Sequence, residues 1–143
     1  MNEEAVQFLN HSLNNDNNES INNLTSELIK ERKETILKEL PITKKELGNL
    51  TNKLKGYRYV EEIQELHVGC YIRWIKLKNP EDEIKLTNGA LLCDIKIEDN
   101  ILLLCKNNMN KIFNVNMSEN LIFQKLTDQE KIILYAIDIL NSH

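Results

Sequence analysis

Glycine, proline and long apolar runs are scarce in this chain, and each shortage excludes a kind of site or structure. With 4 glycines and 2 prolines in 143 residues, no loop is predicted to cradle a phosphate on several close backbone amides. No apolar run reaches the roughly 18 residues of a membrane-spanning helix. The N-terminus is acidic at Glu3 and Glu4, and no apolar segment follows, so no signal peptide is predicted. We therefore expect an intracellular protein.

Cysteine is also sparse, with Cys70, Cys93 and Cys105 each lying in an apolar run. An odd number of cysteines without a secretory signal predicts reduced thiols. The net charge is −4 and the isoelectric point about 5.4, whereas proteins that bind nucleic-acid phosphates are usually basic. Non-specific nucleic-acid binding is therefore disfavoured, although a local basic strip is compatible with these totals.

Catalytic motifs are missing from the sequence. It contains no G-x-S-x-G, P-loop, G-x-G-x-x-G or H-E-x-x-H pattern. Carboxylates are grouped over 61–65 and 81–83, but these runs are polar and turn-like. General acid–base chemistry needs carboxylates in a cleft with shifted pKa values, so a solvated surface is the better interpretation. We predict a protein that is not an enzyme and needs no cofactor.

The first part of the chain has the pattern of a helical arm, predicted over 1–42. A short amphipathic helix is expected over 1–13, followed by an Asn-rich break at 14–19. A longer helix is expected over 20–40, with Ser20 or Thr25 as its cap. The proline at position 41 prevents the helix from continuing.

Two capping boxes predict further helix starts. In each, a threonine is followed three residues later by a glutamate, and their side chains and backbone amides bond reciprocally. Thr43 and Glu46 open a helix predicted over 43–55, and a second box opens a helix predicted over 128–140.

Between these helices the apolar residues follow a period of two, which is typical of strands. The predicted strands are 57–60, 70–77, 90–97, 101–106, 111–116 and 121–125. Short strands joined by tight turns favour an antiparallel β-meander that forms a small SH3-like barrel. The predicted fold class is therefore α+β, with N-terminal helices, this barrel and a C-terminal helix, the α+β domain covering 43–143.

The hairpin of 90–97 and 101–106 has a predicted register. Centring its turn on Asp99 places Ile97 opposite Ile101, Ile95 opposite Leu103, and Cys93 opposite Cys105. The prediction thus turns both cysteines toward the core.

One candidate metal site consists of His67, Cys70, Cys93 and Cys105. The spacing of His67 and Cys70 resembles a zinc knuckle, and the predicted register faces the other two cysteines. Each cysteine nevertheless lies among strand hydrophobes, and free cysteine is one of the most buried residue types. Core packing with no metal is the preferred interpretation, zinc the weaker alternative, and a Cys93–Cys105 disulfide a third.

A candidate binding platform combines aromatic and basic side chains around two predicted strands. Tyrosine rings stack on bases or cage cations, and arginines contact phosphates. The platform residues are Tyr57, Arg58, Tyr59, Tyr71 and Arg73. Simple packing within the sheet is the alternative interpretation, and Trp74, on the opposite face from Tyr71, is predicted to lie in the core.

The helix over 20–40 carries an apolar stripe that is wide for so small a chain. Such a stripe favours contact with a protein partner or with a second copy. The residues of this stripe are Ile21, Leu24, Leu28, Ile36 and Leu40.

Four local patterns carry a resemblance to a known group of proteins. They are GYRYV at 56–60, GCYIRWI at 69–75, NG at 88–89 and FQKLTDQE at 123–130. Over about 43–140, the chain resembles small uncharacterised proteins of nucleocytoplasmic large DNA viruses. The resemblance implies a viral interaction protein, either a virion component or an accessory factor in the host cytoplasm, and transfers no catalytic residues. The 20 asparagines, which have AT-rich codons, agree with such an origin.

Overall fold

The computed structural model describes residues 24–77 and 83–142. The helix predicted over 1–13 and the break at 14–19 lie outside the described residues. The helices are α1 (Ser26–Lys38), α2 (Lys44–Lys53) and α3 (Asp128–Asn141). The strands are β1 (Tyr57–Val60), β2 (Tyr71–Lys76), β3 (Ala90–Ile97), β4 (Ile101–Lys106), β5 (Ile112–Asn116) and β6 (Asn120–Lys125). Two short 3-10 helices cover Ile63–Glu65 and Met117–Glu119.

Each α-helix begins at a threonine. Thr25, rather than Ser20, caps α1, its hydroxyl accepting a hydrogen bond from the Leu28 amide. The capping box predicted at the start of α3 is complete. The box at the start of α2 is formed on one side, because the Glu46 carboxylate accepts from the Thr43 hydroxyl (3.2 Å) and not from the Thr43 amide. Threonine at the N-cap satisfies an otherwise unpaired amide, which explains why the starts of α2 and α3 were visible in the sequence. The first long helix was predicted from residue 20, whereas α1 begins at Ser26.

The six strands form one antiparallel sheet in the order β1-β6-β2-β3-β4-β5. Strands β2 to β5 are the predicted meander, and β6 then pairs between β1 and β2. The predicted α+β class and antiparallel meander are confirmed, but the SH3-like barrel is not closed. Because β6 occupies the place beside β2, strand β1 is displaced to one edge while β5 remains at the other, so the sheet stays open.

The β3–β4 hairpin contains a bulge that the sequence did not reveal. The pairs Ile97–Ile101 and Ile95–Leu103 are as predicted, but Leu92, not Cys93, lies opposite Cys105. The register shifts between positions 92 and 94, which leaves Cys93 as the extra residue. A one-residue bulge reverses the faces beyond it. The predicted Cys93–Cys105 pairing was therefore wrong.

Apolar side chains pack on both faces of the sheet. One face curls around a cluster that includes Ile72, Leu92 and Leu103, all fully buried. The other face is covered by α1 and α2, where Leu37 and Leu54 pack with Phe123.

A third cluster joins the start of α1 to α3 through Leu24, Ile29 and Ile133. Helix α1, which the sequence assigned to an arm, thus contributes to the packing of the sheet and of α3. The domain boundary at residue 42 stays a prediction. Among the described helices, none combines the length and apolar character that crossing a bilayer requires.

Candidate functional site

Tyr57, Tyr71 and Arg73 lie together on the helix-covered face of the sheet. Tyr57 of β1 pairs with Lys125 of β6, and the neighbouring residue of β6 pairs with Ile72 of β2. Tyr57 and Tyr71 therefore flank Lys125 on one face. Burial raises the pKa of the Tyr57 hydroxyl, the positive charge of Arg73 opposes that rise, and Tyr71 adds to it. These electrostatic effects agree with the close approach of the three side chains.

Hydrogen bonds to main-chain carbonyls hold the Arg73 guanidinium in place. Its Nε donates to the Thr87 carbonyl at 2.8 Å, and its Nη1 donates to the Lys53 carbonyl at the end of α2 at 3.3 Å. The Tyr71 hydroxyl donates to the Asn88 carbonyl at 3.1 Å. These hydrogen bonds hold the segment before β3 against one end of the sheet. They hold the C-terminal end of α2 against the same end.

Three exposed lysines complete this surface. Lys125 stands between the two tyrosines, and Lys55 directly precedes Gly56. A β-carbon built on Gly56 would lie 3.9 Å from Lys131 Nζ. Lys131, in the first turn of α3, therefore lies beside Gly56 and close to Lys55. We name the set the basic–aromatic surface. It consists of Tyr57, Tyr71, Arg73, Lys55, Lys125 and Lys131.

Sequence reasoning missed the three lysines because they are scattered along the chain and lie in unremarkable polar contexts. Only the pairing of β1 with β6, together with the packing of α3, gathers them. The signal available in the sequence was the aromatic and arginine content of β1 and β2. The surface is locally basic although the whole chain carries a net charge of −4.

The other two platform residues lie elsewhere. Arg58 points to the opposite face, is 2 % exposed, and forms an ion pair with Glu65. Tyr59 shares the face of Tyr57 but packs its ring against Phe123, with ring centroids 5.6 Å apart. Neither side chain belongs to the basic–aromatic surface. Strand alternation turns Arg58 to the opposite face, and the helices cover Tyr59.

Trp74 packs inside the curl of the sheet against Phe113, as the sequence predicted for a core tryptophan. It takes no part in the basic–aromatic surface, since it projects from the face opposite to Tyr71 and Arg73.

The four residues of the weaker zinc alternative are not gathered at one site. Within 24–77 and 83–142, no group of three or more histidine, cysteine or carboxylate side chains is placed to hold a metal ion. Cys105 is fully buried in the curl of the sheet, and burial raises the pKa of its thiol to about 12. Cys70 lies at the far end of β3 from the hairpin turn, next to α3, and all three thiols are free.

Members of the two carboxylate groups line separate surface clefts. Glu61 and Glu62 lie along a cleft of about 500 Å³ with Asp99, and Glu83 lies along another of about 340 Å³. Glu65 pairs with Arg58 and also caps the 3-10 helix over 63–65. Glu83 is exposed beside Lys85, and positions 81–82 lie outside the described residues. Among the described carboxylates, Glu65 therefore caps a short helix and Glu83 lies on the exposed surface.

Most of the apolar stripe predicted on the first long helix is used within the chain. Leu24 is buried against α3, whereas Ile36 and Leu40 pack partly against the cluster beneath α1 and α2. Leu28 is 37 % exposed, and Ile21 lies outside the described residues.

Helix α3 leaves apolar side chains exposed even though its inner side is buried. Ile132 is 50 % exposed, Tyr135 68 % and Leu140 46 %. Ile132 and Tyr135 are three residues apart and therefore neighbours on one helical face. We name this pair, with Leu140, the outer face of α3.

Comparison with models of protein families, with curated proteins and with solved structures gives no match to this chain. The resemblance to proteins of large DNA viruses therefore stays a prediction.

Proposed function

We propose that this chain is a non-enzymatic protein-interaction module that docks a partner on the outer face of α3. The observation that carries the proposal is the division of α3 into two apolar sides. Ile133 and Leu134 are buried against the rest of the chain, while Ile132 and Tyr135 remain half or more exposed. An amphipathic helix of a small domain usually places polar residues on its outer side.

The gain from covering this face is substantial. Full burial of an exposed isoleucine contributes about 1.5–3 kcal/mol, so covering the exposed half of Ile132 contributes roughly half of that, and tyrosine is among the side chains enriched at interfaces. A viral setting, as a virion component or an accessory factor in the host cytoplasm, rests on the resemblance over 43–140 alone.

The test uses the full chain as bait and the double variant Ile132→Lys with Tyr135→Lys. A control of equal charge change, Asn141→Lys with Ser142→Lys, adds two charges at exposed polar positions at the end of the same helix. Recovery of one partner, or self-association in sedimentation velocity, that the double variant loses and the control keeps is the expected result. A partner retained equally by both variants, or a lone monomer that recovers nothing, contradicts the proposal.

A second candidate function is the binding of single-stranded nucleic acid by the basic–aromatic surface. Tyr57 and Tyr71 flank Lys125, and rings interleaved with cations are the usual arrangement for stacking bases and contacting phosphates. The positive charge is concentrated at the end of the sheet where α2 ends and α3 begins.

Fluorescence anisotropy with a labelled oligothymidine at about 50 mM salt tests this candidate, because phosphate contacts are strongest there. The triple variant Lys55→Ala, Lys125→Ala, Lys131→Ala should weaken binding about tenfold or more and flatten the salt dependence. A control of equal charge change replaces Lys30, Lys45 and Lys111. No binding by the unaltered chain, or equal losses in both triple variants, rejects the candidate.

A further inference from the structure

Strand β5 is an open edge of the sheet. Among residues 24–77 and 83–142, it pairs with β4 on one side and with no strand on the other. At the opposite edge, α1 packs against β1, and the Tyr57 amide donates to the Leu54 carbonyl at 3.0 Å. An exposed edge strand presents unpaired amides and carbonyls that can pair with a further strand. The β5 edge is therefore a candidate interaction surface built from main-chain groups.

The hydrogen bonds between β4 and β5 show which main-chain groups of β5 face outward. At the start of this pairing, the Asn107 amide donates to the Lys111 carbonyl at 3.0 Å. In an antiparallel pair, the residues that exchange hydrogen bonds recur at every second position. Phe113 and Val115 therefore also direct their amides and carbonyls toward β4. The residues between them direct theirs toward the open edge.

The outward-directed groups belong to Ile112, Asn114 and Asn116. In the described part of the chain, the amides and carbonyls of Ile112 and Asn114 make no hydrogen bond. The Asn116 carbonyl accepts from Asn120 Nδ2 at 2.8 Å, and its second lone pair can accept another hydrogen bond. The side chains of Ile112 and Asn114 are exposed. A further strand can therefore reach these groups.

Strand β5 lacks the features that usually prevent edge strands from pairing with each other. Natural edge strands commonly carry a lysine, another charged residue or a proline. The five residues of β5, IFNVN, include none of these. A symmetric pairing of two such strands brings no like charges together. The opposite edge differs, since β1 carries Arg58 and begins at an amide that is already bonded.

We propose that β5 pairs antiparallel with β5 of a second copy of this chain, with the Asn114 residues of both copies opposite each other at the two-fold axis. This register uses the whole strand, because Asn114 is its midpoint. Ile112 then lies opposite Asn116 of the second copy, and both belong to the outward-directed set. Phe113 lies opposite Val115, so the inner faces of the two sheets are continuous.

A second copy fits this edge better than a flexible peptide does. Two identical strands related by a two-fold axis present the same donors and acceptors to each other, so the interface is self-complementary. The second copy's strand is already ordered by its own β4, which lowers the entropy cost of association. The β5 edge shares no residue with the outer face of α3 or with the basic–aromatic surface. The inference therefore does not depend on either proposed function.

Amide hydrogen exchange of the full chain, followed by NMR, tests the pairing directly. A single strand pair is a small interface, so association is expected between about 50 µM and 1 mM. The Ile112 and Asn114 amides should gain protection as concentration rises, in step with dimer mass in sedimentation velocity. The Phe113 and Val115 amides should be protected throughout. A monomer at the highest concentration, or protection of Ile112 and Asn114 that does not depend on concentration, overturns the proposal.

Two charge variants test the register. Asn114→Lys and Asn114→Asp each place like charges at the axis, and each alone should weaken association about tenfold or more. An equal mixture of the two should restore association as a heterodimer. The control Asn108→Lys, in the exposed loop before β5, should associate like the unaltered chain.

Undiminished association of either variant alone, or a mixture that fails to associate, overturns the register. Protection of the Phe113 and Val115 amides in each variant shows that β5 is still paired with β4. The double variant Ile132→Lys with Tyr135→Lys should keep this dimer. Loss of the dimer in that variant assigns self-association to the outer face of α3 and overturns the proposal. Hydrogen exchange of the unaltered chain decides the matter even if the charge variants fail to fold.

Discussion

The rings of Trp74 and Phe113 pack together with centroids 5.8 Å apart, although their strands are separated by β3 and β4. Neighbouring strands lie about 4.8 Å apart, so three such steps in a flat sheet would separate the rings by roughly 14 Å. The contact between the two rings therefore shows that the sheet is strongly curled. The curl creates a barrel-like interior without the hydrogen-bonded closure of a barrel.

Replacing Phe113 by alanine should destabilise the protein by about 2 kcal/mol, since it removes the contact that joins the two ends of the curl. Urea unfolding measures the effect. Ile112→Ala on the same strand is the control, because Ile112 is 62 % exposed and its loss should cost less than about 0.5 kcal/mol. Equal costs at the two positions would show that the aromatic contact does not hold the curl.

Gly89→Ala should cost about 2 kcal/mol or more. Gly89 has φ +91°, and a β-carbon there would lie 2.4 Å from the Ile72 carbonyl oxygen. The control, Gly48→Ala, lies within α2 with nothing within 4 Å, and should stabilise the protein by about 0.5–1 kcal/mol. Thermal unfolding of both variants gives the comparison, and a harmless Gly89→Ala would contradict the close approach.

Gln124→Leu should cost about 2–4 kcal/mol, because the His67 amide and the Glu65 carbonyl each lose a buried partner. Hydrogen exchange provides a local readout, with the His67 amide losing its protection first. Gln64→Leu, at an exposed position of the adjacent 3-10 helix, is the control and should change stability by less than about 0.5 kcal/mol. Retained protection at His67 would show that another group holds the loop over 66–70.

Cys105 should be the last of the three thiols to react with iodoacetamide in the folded protein, as followed by mass spectrometry. Its fully buried thiol has its pKa raised from 9.0 to about 12, so the nucleophilic thiolate is nearly absent at pH 9. Rapid modification of Cys105 without unfolding would contradict this burial.

The raised pKa of the Cys105 thiol also predicts how the free energy of unfolding depends on pH. The fold favours the neutral thiol, so the contribution of Cys105 is complete below pH 9 and is lost as the pH rises from 9 toward 12. Cys105→Ala should remove this part of the decline. Unfolding curves at pH 8 and 10 for both proteins measure it, and identical pH dependences would reject the prediction.

The local elements were largely predictable because their causes lie within a few residues of each other. Strand β1 occupies 57–60 as predicted, and α3 was predicted over 128–140 against the observed Asp128–Asn141. The end of α1 at Lys38, short of the proline, follows from the steric limits that proline sets on the preceding residues. Apolar alternation, helix caps and proline each act on residues a few positions apart, so their effects can be inferred from the sequence alone.

The candidate sites were only partly predictable. Tyr57, Tyr71 and Arg73 were selected from strand composition, but Lys125 and Lys131 join them only through strand pairing and helix packing. The open edge at β5 was not foreseen at all. The strand itself was predicted over 111–116, but its place at the edge follows from the order of the strands in the sheet.

Most boundaries of the described helices and strands could be predicted to within one or two residues, since capping, periodicity and proline geometry are local; the start of α1, predicted at 20 and observed at Ser26, is the exception. Three features follow from tertiary packing instead: β6 inserts beside β2, the bulge moves Cys93 out of register with Cys105, and most of the stripe of α1 is used internally. Those three features depend on which arrangement of distant segments buries the most apolar area. The best arrangement is a property of the whole chain, so it cannot be inferred from any short segment.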